Sequence, residues 1–226
     1  MDRAYKTLFF DLDDTLFDYT GDEKRCIRKV LENHGMTVTD DVFELYYSID
    51  DWQFFTMGNI NSETIITDHF RRMLKMLQFD EDEIVVMSKE FYCAMCNSHH
   101  LKYGAKTVLS YLKDKGYKIY ITSNGFSEFQ RKRIKEAGIE EYLDGIFISE
   151  EMDLRKPGKM FFKYILDRIP ENNLRNVLLI GDAPTSDILG GINIGVDTCW
   201  LNVDNRKCKY KYTYKIKSLN ELKKFL

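Results

Sequence analysis

Asp11, Asp13 and Asp14 crowd three carboxylates into four positions, directly behind the apolar run Leu8-Phe9-Phe10. The run reads as a buried strand, so the carboxylates fall at its C-terminal end, where open α/β sheets take their ligands. Like charges this close coexist only when a cation or a shared proton relieves them. A divalent metal is the simplest relief, and oxygen-only ligands at a phosphate site favour magnesium. The plainer alternative is a strand followed by an Asp-rich turn.

Three later segments repeat this placement. Ser123-Asn124-Gly125 follows Lys118-Ile119-Tyr120-Ile121-Thr122 and offers a hydroxyl and exposed amides to phosphate oxygens. Lys156, ahead of Pro157, follows a short strand ending near Ser149. Gly181 and Asp182, with Asp187 five positions on, follow Val177-Leu178-Leu179-Ile180. Each segment alone reads more readily as an ordinary turn, loop or helix cap. Jointly they converge, because strand ends on one edge of a parallel sheet meet in a single crevice.

The elements that must position these residues alternate after Tyr103. Helices are expected over Ala105–Lys115, Ser127–Ala137 and Lys159–Arg168, then from Ser186 and from Ser218. Strands are expected over Tyr117–Thr122, Gly145–Ser149, Asn176–Ile180 and Thr198–Leu201 and near Tyr214–Ile216. Such alternation implies a parallel sheet covered on both faces. The region from Asp18 to Asn97 reads instead as helical, broken near Gly35, Gly58 and Asp80, with Ile65, Ile66, His69, Phe70, Met73 and Leu77 at helical spacing. The expected architecture is therefore α/β. A doubly wound, Rossmann-like core (residues 1–17 and 98–226) is interrupted after its first strand by a helical cap (residues 18–97).

At 226 residues the chain can bury a core without disulfide staples. Hydrophobic residues make up 44% and charged residues 31%, with a net charge of −3 and no long basic block. That composition speaks against a duplex nucleic-acid binder, and no apolar run approaches a membrane span. Asp11, Asp13 and Asp14 break the N-terminal apolar run too early for a signal peptide, so the expected location is cytoplasmic. The odd set of five cysteines fits reduced thiols. Cys93 and Cys96, with His99 and His100 behind them, have some zinc-ligand character, but they lie in a helical run without a second pair, which favours structural cysteines.

The ordered set Asp11-x-Asp13-x-Thr15, Ser123, Lys156-Pro157 and Gly181-Asp182 with Asp187 resembles the haloacid dehalogenase-like (HAD) hydrolases over the whole chain. A helical insertion after the first strand matches the branch with a cap there. The resemblance implies catalytic roles for Asp11, Asp13, Thr15 and Lys156. Asp11 would be the nucleophile that forms an aspartyl-phosphate, and Asp13 the general acid and base. Thr15 would position Asp13. Ser123, Asn124, Gly125 and Lys156 would bind phosphate. Magnesium would be held by Asp11, the main-chain carbonyl of Asp13 and Asp182, with Asp187 as ligand or support. The founding dehalogenases lack the acid at the position of Asp13, because halide leaves without a proton; its presence points to a phosphatase.

The stretches Phe9–Asp18 and Asp182–Asn202 resemble more closely the bacterial house-cleaning pyrimidine 5'-nucleotidases, with Trp52, Phe54 and Phe55 echoing an aromatic cap stretch. Those aromatics either stack on a base or belong to the cap core. Ala183-Pro184 replaces the usual Ser-Leu pair, and Pro184 should hold Ala183 extended. His69 stands where an Arg is expected. The implied substrate is a phosphate monoester, a pyrimidine or non-standard nucleoside 5'-monophosphate, with no polymer or membrane partner. Alternatives are a phosphatase for a small sugar phosphate or phosphoglycolate, and, in another class, a silent module that binds phosphorylated ligands.

Overall fold

The computed structural model describes residues 5–49, 62–171 and 173–226. Trp52, Phe54, Phe55 and the break at Gly58 lie outside the described residues. The chain divides into two compact units, Met1–Tyr19 with His99–Leu226, and Thr20–Ser98.

The first unit is built on six parallel strands: β1 (Thr7–Phe10), β2 (Lys118–Ser123), β3 (Gly145–Ile148), β4 (Val177–Gly181), β5 (Asp197–Leu201) and β6 (Tyr214–Ile216), in the order β3-β2-β1-β4-β5-β6. The winding moves outward from β1 through β2 to β3, then returns to the other side at β4. The gap between β1 and β4 is thus the switch point, where such sheets open a ligand crevice. Phe10 pairs with both Ile121 and Ile180, which sets the loops after β1, β2 and β4 side by side.

Strand alternation divides the core into two layers. Leu8, Phe10, Ile119, Ile121, Leu178 and Ile180 pack on one face with Val108, Leu109 and Leu112 of α5 (Ala105–Asp114). Phe9, Tyr120 and Leu179 pack on the other with Phe161, Phe162 and Ile165 of α8 (Lys159–Leu166). Burying a Phe or Leu side chain contributes roughly 1.5–3 kcal/mol, so these layers hold the strand ends in fixed register.

The connections differ locally from expectation. A short helix α7 (Ser149–Met152) follows β3. The helix expected from Ser186 begins as a wide turn over Pro184–Ile188, where Ile188 as well as Asp187 donates to Ala183 O, and becomes α9 only at Leu189–Ile194. Ala183 is extended before Pro184, at φ −93° and ψ 111°. The C-terminal helix is a 3-10 turn over Leu219–Lys224.

Among the described residues, the second unit comprises α1 (Tyr19–Asn33, entered from the first unit), α2 (Asp40–Ser48), α3 (Ser62–Met76) and α4 (Glu81–Cys96). Asp80 and Glu83 form a capping box that starts α4. Phe70 of α3 stacks on Phe91 of α4 with centroids 4.4 Å apart, and Met73, Met87 and Met95 are buried with them. His69 is used within this unit: its Nε2 lies 2.6 Å from Tyr46 O and its ring packs on that of Tyr46. Cys93 is exposed and Cys96 half-buried.

Candidate active site

Asp11 ends β1. Its N–H still serves the sheet, donating to Ile180 O at 2.9 Å, while its carboxylate has a separate partner on each oxygen. Lys156 Nζ donates to Oδ1 at 2.7 Å, and Thr15 Oγ1 donates to Oδ2 at 3.0 Å. Leu16 and Phe17 N–H both return to Leu12 O, and Asp14 takes φ +56° at the bend. This turn carries Thr15 back toward Asp11. The hydroxyl expected to position Asp13 therefore positions Asp11. It also accepts from the Asp182 N–H at 3.0 Å, joining the loops after β1 and β4.

Lys156 is buried with its ammonium between two carboxylates, 2.7 Å from Asp11 and 2.6 Å from Asp187. Burial opposes its charge, but the charges of Asp11 and Asp187 outweigh that and hold the ammonium above the ordinary lysine range. Asn124 fixes the Lys156 main chain: its Oδ1 accepts from the Lys156 N–H at 2.8 Å and its Nδ2 donates to the Lys156 carbonyl at 3.0 Å. The side chain expected to bind phosphate is thus engaged in placing the lysine. The Lys156-Pro157 peptide is cis.

Ser123 is buried at the end of β2, and its Oγ accepts from the Gly125 N–H at 3.1 Å and from Gln130 Nε2 at 3.3 Å. With both bonds accepted, the hydroxyl keeps its own proton to donate. A Cβ on Gly125 would stand 2.4 Å from Gln130 Nε2, so glycine permits this approach.

Beyond β4, Asp182 and Asp187 complete the cluster. One oxygen from each of Asp11, Asp182 and Asp187 lies within 4.8 Å of the others. Asp187 is fully buried; its second oxygen accepts from the Ala183 N–H at 3.0 Å, and a Cβ on Gly181 would stand 2.2 Å from that oxygen. Asp182 pairs at 3.0 Å with Arg206, whose side chain is half-exposed, and its carbonyl accepts from Trp200 Nε1 at 2.8 Å. Burial first, and then the charges of Asp11 and Asp187, push the Asp182 carboxyl up to about 7. Burial and the Asp187 charge, against Lys156, push Asp11 up to about 6. The cluster holds more negative charge than its two cations offset, and its donors are hard oxygens, which fits a magnesium ion.

Asp13 is placed differently from its neighbours. Its carboxylate is held from α6 (Ser127–Glu136), by Arg133 Nη1 at 2.6 Å and by Gln130 Nε2. It does not join the three-carboxylate group; the expectation for Asp13 concerned only its main-chain carbonyl. Gln130, Arg133, Trp200 and Arg206 stand in no motif that marks them in the sequence. The signal for the first two was present: Phe129, Gln130, Arg133 and Ile134 form one helical stripe, and an arginine inside an apolar stripe demands a partner.

Comparison with known proteins shows which family this chain resembles. The family model for haloacid dehalogenase-like hydrolases matches residues 5–195. HAD-hydrolase YfnB of Bacillus subtilis is 32% identical over 97% of this chain and 94% of its own. Its crystal structure, described as bound to magnesium, superposes with a TM-score of 0.83 over 97% of both chains. Pyrimidine 5'-nucleotidase YjjG of Escherichia coli is 32% identical over 97% of this chain and 96% of its own. Pyrimidine 5'-nucleotidase PynA of Streptococcus pneumoniae is 28% identical over 96% and 93%.

Proposed function

The chain belongs to the haloacid dehalogenase-like hydrolase family, and from that premise we propose a magnesium-dependent phosphatase acting on pyrimidine or non-standard nucleoside 5'-monophosphates through an aspartyl-phosphate. The observation that carries this reading is the Asp11 carboxylate, held on both oxygens by Thr15 and Lys156 beside two further buried or part-buried carboxylates. A nucleophile fixed at both oxygens has lost its rotational freedom before substrate arrives. Holding the phosphoryl group of a bound substrate in line with a nucleophile fixed in this way can supply roughly 7–11 kcal/mol.

The chemistry divides into two displacements at phosphorus. An Asp11 oxygen attacks the phosphoryl group as the bond to the leaving oxygen breaks, and Asp13 gives that oxygen a proton. Asp13 then takes a proton from water, whose oxygen attacks the acyl-phosphate phosphorus. Inorganic phosphate leaves and the Asp11 carboxylate is restored. Lys156 offsets charge on the nucleophile and on the equatorial oxygens, and Ser123 with the amides near Gly125 donates to those oxygens. Asp11, Asp182 and the Asp13 carbonyl, with Asp187 as ligand or support, would hold magnesium, which when bound supplies charge neutralisation at the phosphoryl oxygens. Residues 18–97 would act as the cap that selects the leaving group.

The nucleotide preference rests on the likeness to YjjG and PynA. A magnesium-supplemented screen across nucleotides and sugar phosphates tests it. Preference for pyrimidine monophosphates is expected; sugar phosphates hydrolysed faster than every pyrimidine monophosphate would reject it. A silent binding module would leave all of them intact.

A further inference from the structure

Gln130 and Arg133 have no part in the scheme above, yet both are buried, Arg133 with 1% of its surface exposed. A guanidinium taken out of water is strongly unfavourable without ionic and hydrogen-bond partners. Here Arg133 Nη1 donates to Asp13 Oδ1 at 2.6 Å and to Gln130 Oε1 at 2.9 Å. A guanidinium can only donate, so the Gln130 oxygen must face it. That orientation turns Nε2 of the same amide to Asp13 Oδ2 and to Ser123 Oγ. Both oxygens of Asp13 are thereby held from one helix.

The plane of the guanidinium is itself fixed. Its central carbon lies 4.4 Å from the centroid of the Phe17 ring and 4.8 Å from that of Phe129. A flat cation packed over aromatic rings has little freedom to turn, a property that a lysine ammonium lacks. The turn after β1 cannot do this work, because the hydroxyl of Thr15 is committed to Asp11. The Asp13 side chain remains 30% exposed, and each carboxylate oxygen has two lone pairs, so acceptor capacity remains for a substrate or a water.

We propose that Arg133 and Gln130 are positioning residues for Asp13. Arg133 sets the amide of Gln130, and together they fix the carboxylate that exchanges protons, in register with the phosphate-binding Ser123. The proposal rests on the assignment of Asp13 as acid and base. Neither residue bonds to phosphorus or exchanges a proton in the scheme; both act through the Asp13 carboxylate. If they position the acid, their loss must matter most where the leaving oxygen needs a proton. If they only tie α6 to the first loop, every substrate suffers alike.

Two aryl phosphates separate these outcomes without reference to the natural substrate. Nitrophenolate departs from p-nitrophenyl phosphate unaided, whereas phenyl phosphate relies on protonation. For Arg133→Met, kcat/KM on phenyl phosphate should fall about 100-fold, a part of the 10²–10⁴ that acid–base catalysis supplies. On p-nitrophenyl phosphate it should fall less than about fivefold, with a burst of one nitrophenolate per enzyme, because dephosphorylation still needs the base. Gln130→Met, which buries no new charge and so tests the same point if Arg133→Met does not fold, should show a weaker form of the same pattern. Arg133→Lys should recover part of the phenyl phosphate rate by restoring the charge contact to Asp13. Equal losses on both substrates in folded variants, or no loss on either, would overturn the proposal. Asp13→Asn should show the pattern in full; without it there, the assignment of Asp13 fails, and the proposal falls with it. Asp11→Asn should be inactive on both substrates, which checks the nucleophile separately.

Discussion

Lys156 and Asp187 form an ion pair of 2.6 Å in which neither side chain is more than 1% exposed. The same ammonium reaches Asp11 at 2.7 Å, so one buried cation sets the distance between the first and last carboxylates of the cluster. Removing it leaves two buried carboxylates facing each other. Lys156→Met should therefore lower unfolding free energy by about 3–5 kcal/mol in metal-free protein, and reduce kcat on any phosphate monoester by about 10²–10³-fold. Denaturant unfolding and steady-state kinetics check the two halves; a variant of unchanged stability contradicts the first.

Thr15 makes a sharper distinction. Its hydroxyl donates to Asp11 and accepts from the Asp182 N–H, both at 3.0 Å. Thr15→Val keeps the shape and removes both bonds, and should cost about 1–3 kcal/mol of stability and lower kcat. Thr15→Ser should retain most activity. Because the hydroxyl orients the nucleophile and not the acid, Thr15→Val should slow p-nitrophenyl and phenyl phosphate by the same factor.

Gly181 tests how tightly the cluster is packed. An added methyl would stand 2.2 Å from Asp187 Oδ2, and that carboxylate cannot move without releasing Lys156 and the Ala183 N–H. Gly181→Ala should destabilise by about 1–3 kcal/mol and weaken magnesium binding as well. Thermal unfolding with and without the metal measures both.

Asp11 and Asp182, raised to about 6 and about 7, make stability depend on pH. The unfolded chain ionises these groups near pH 4, while the metal-free fold keeps their protons to higher pH. The native state thus binds more protons across that window, and their contribution to stability declines as pH rises from about 4 to 7. Magnesium requires the ionised forms, so added metal should raise the melting temperature more at pH 7.5 than at pH 5. An equal rise at both would count against the carboxylate cluster as the binding site.

Much of this site is legible in the sequence because its parts lie at strand ends. Leu8-Phe9-Phe10 and Val177-Leu178-Leu179-Ile180 read as buried strands, and parallel pairing then brings Asp11 and Asp182 to one edge. What stayed hidden depends on turns and on helix register. The reversal through Asp14 sends Thr15 to Asp11, and nothing in the spacing separates that from a turn toward Asp13. Asn124 reads as a phosphate donor until the loop carrying Lys156 is seen against it. Arg133 lies 120 positions from Asp13, and only the packing of α6 joins them. The wide turn at Pro184 arises because Asp187 caps the Ala183 N–H while Asp187 and Ile188 share its carbonyl, a local competition that propensity does not express.

The central claim is that Asp11 carries the phosphoryl group. Acid quenching during turnover of p-nitrophenyl phosphate, followed by mass spectrometry of the peptides, tests it most directly. The account predicts one added phosphoryl group on the peptide containing Asp11, more abundant in Arg133→Met and absent in Asp11→Asn. Turnover that persists in Asp11→Asn, or a phosphoryl group found on a different residue, would contradict it.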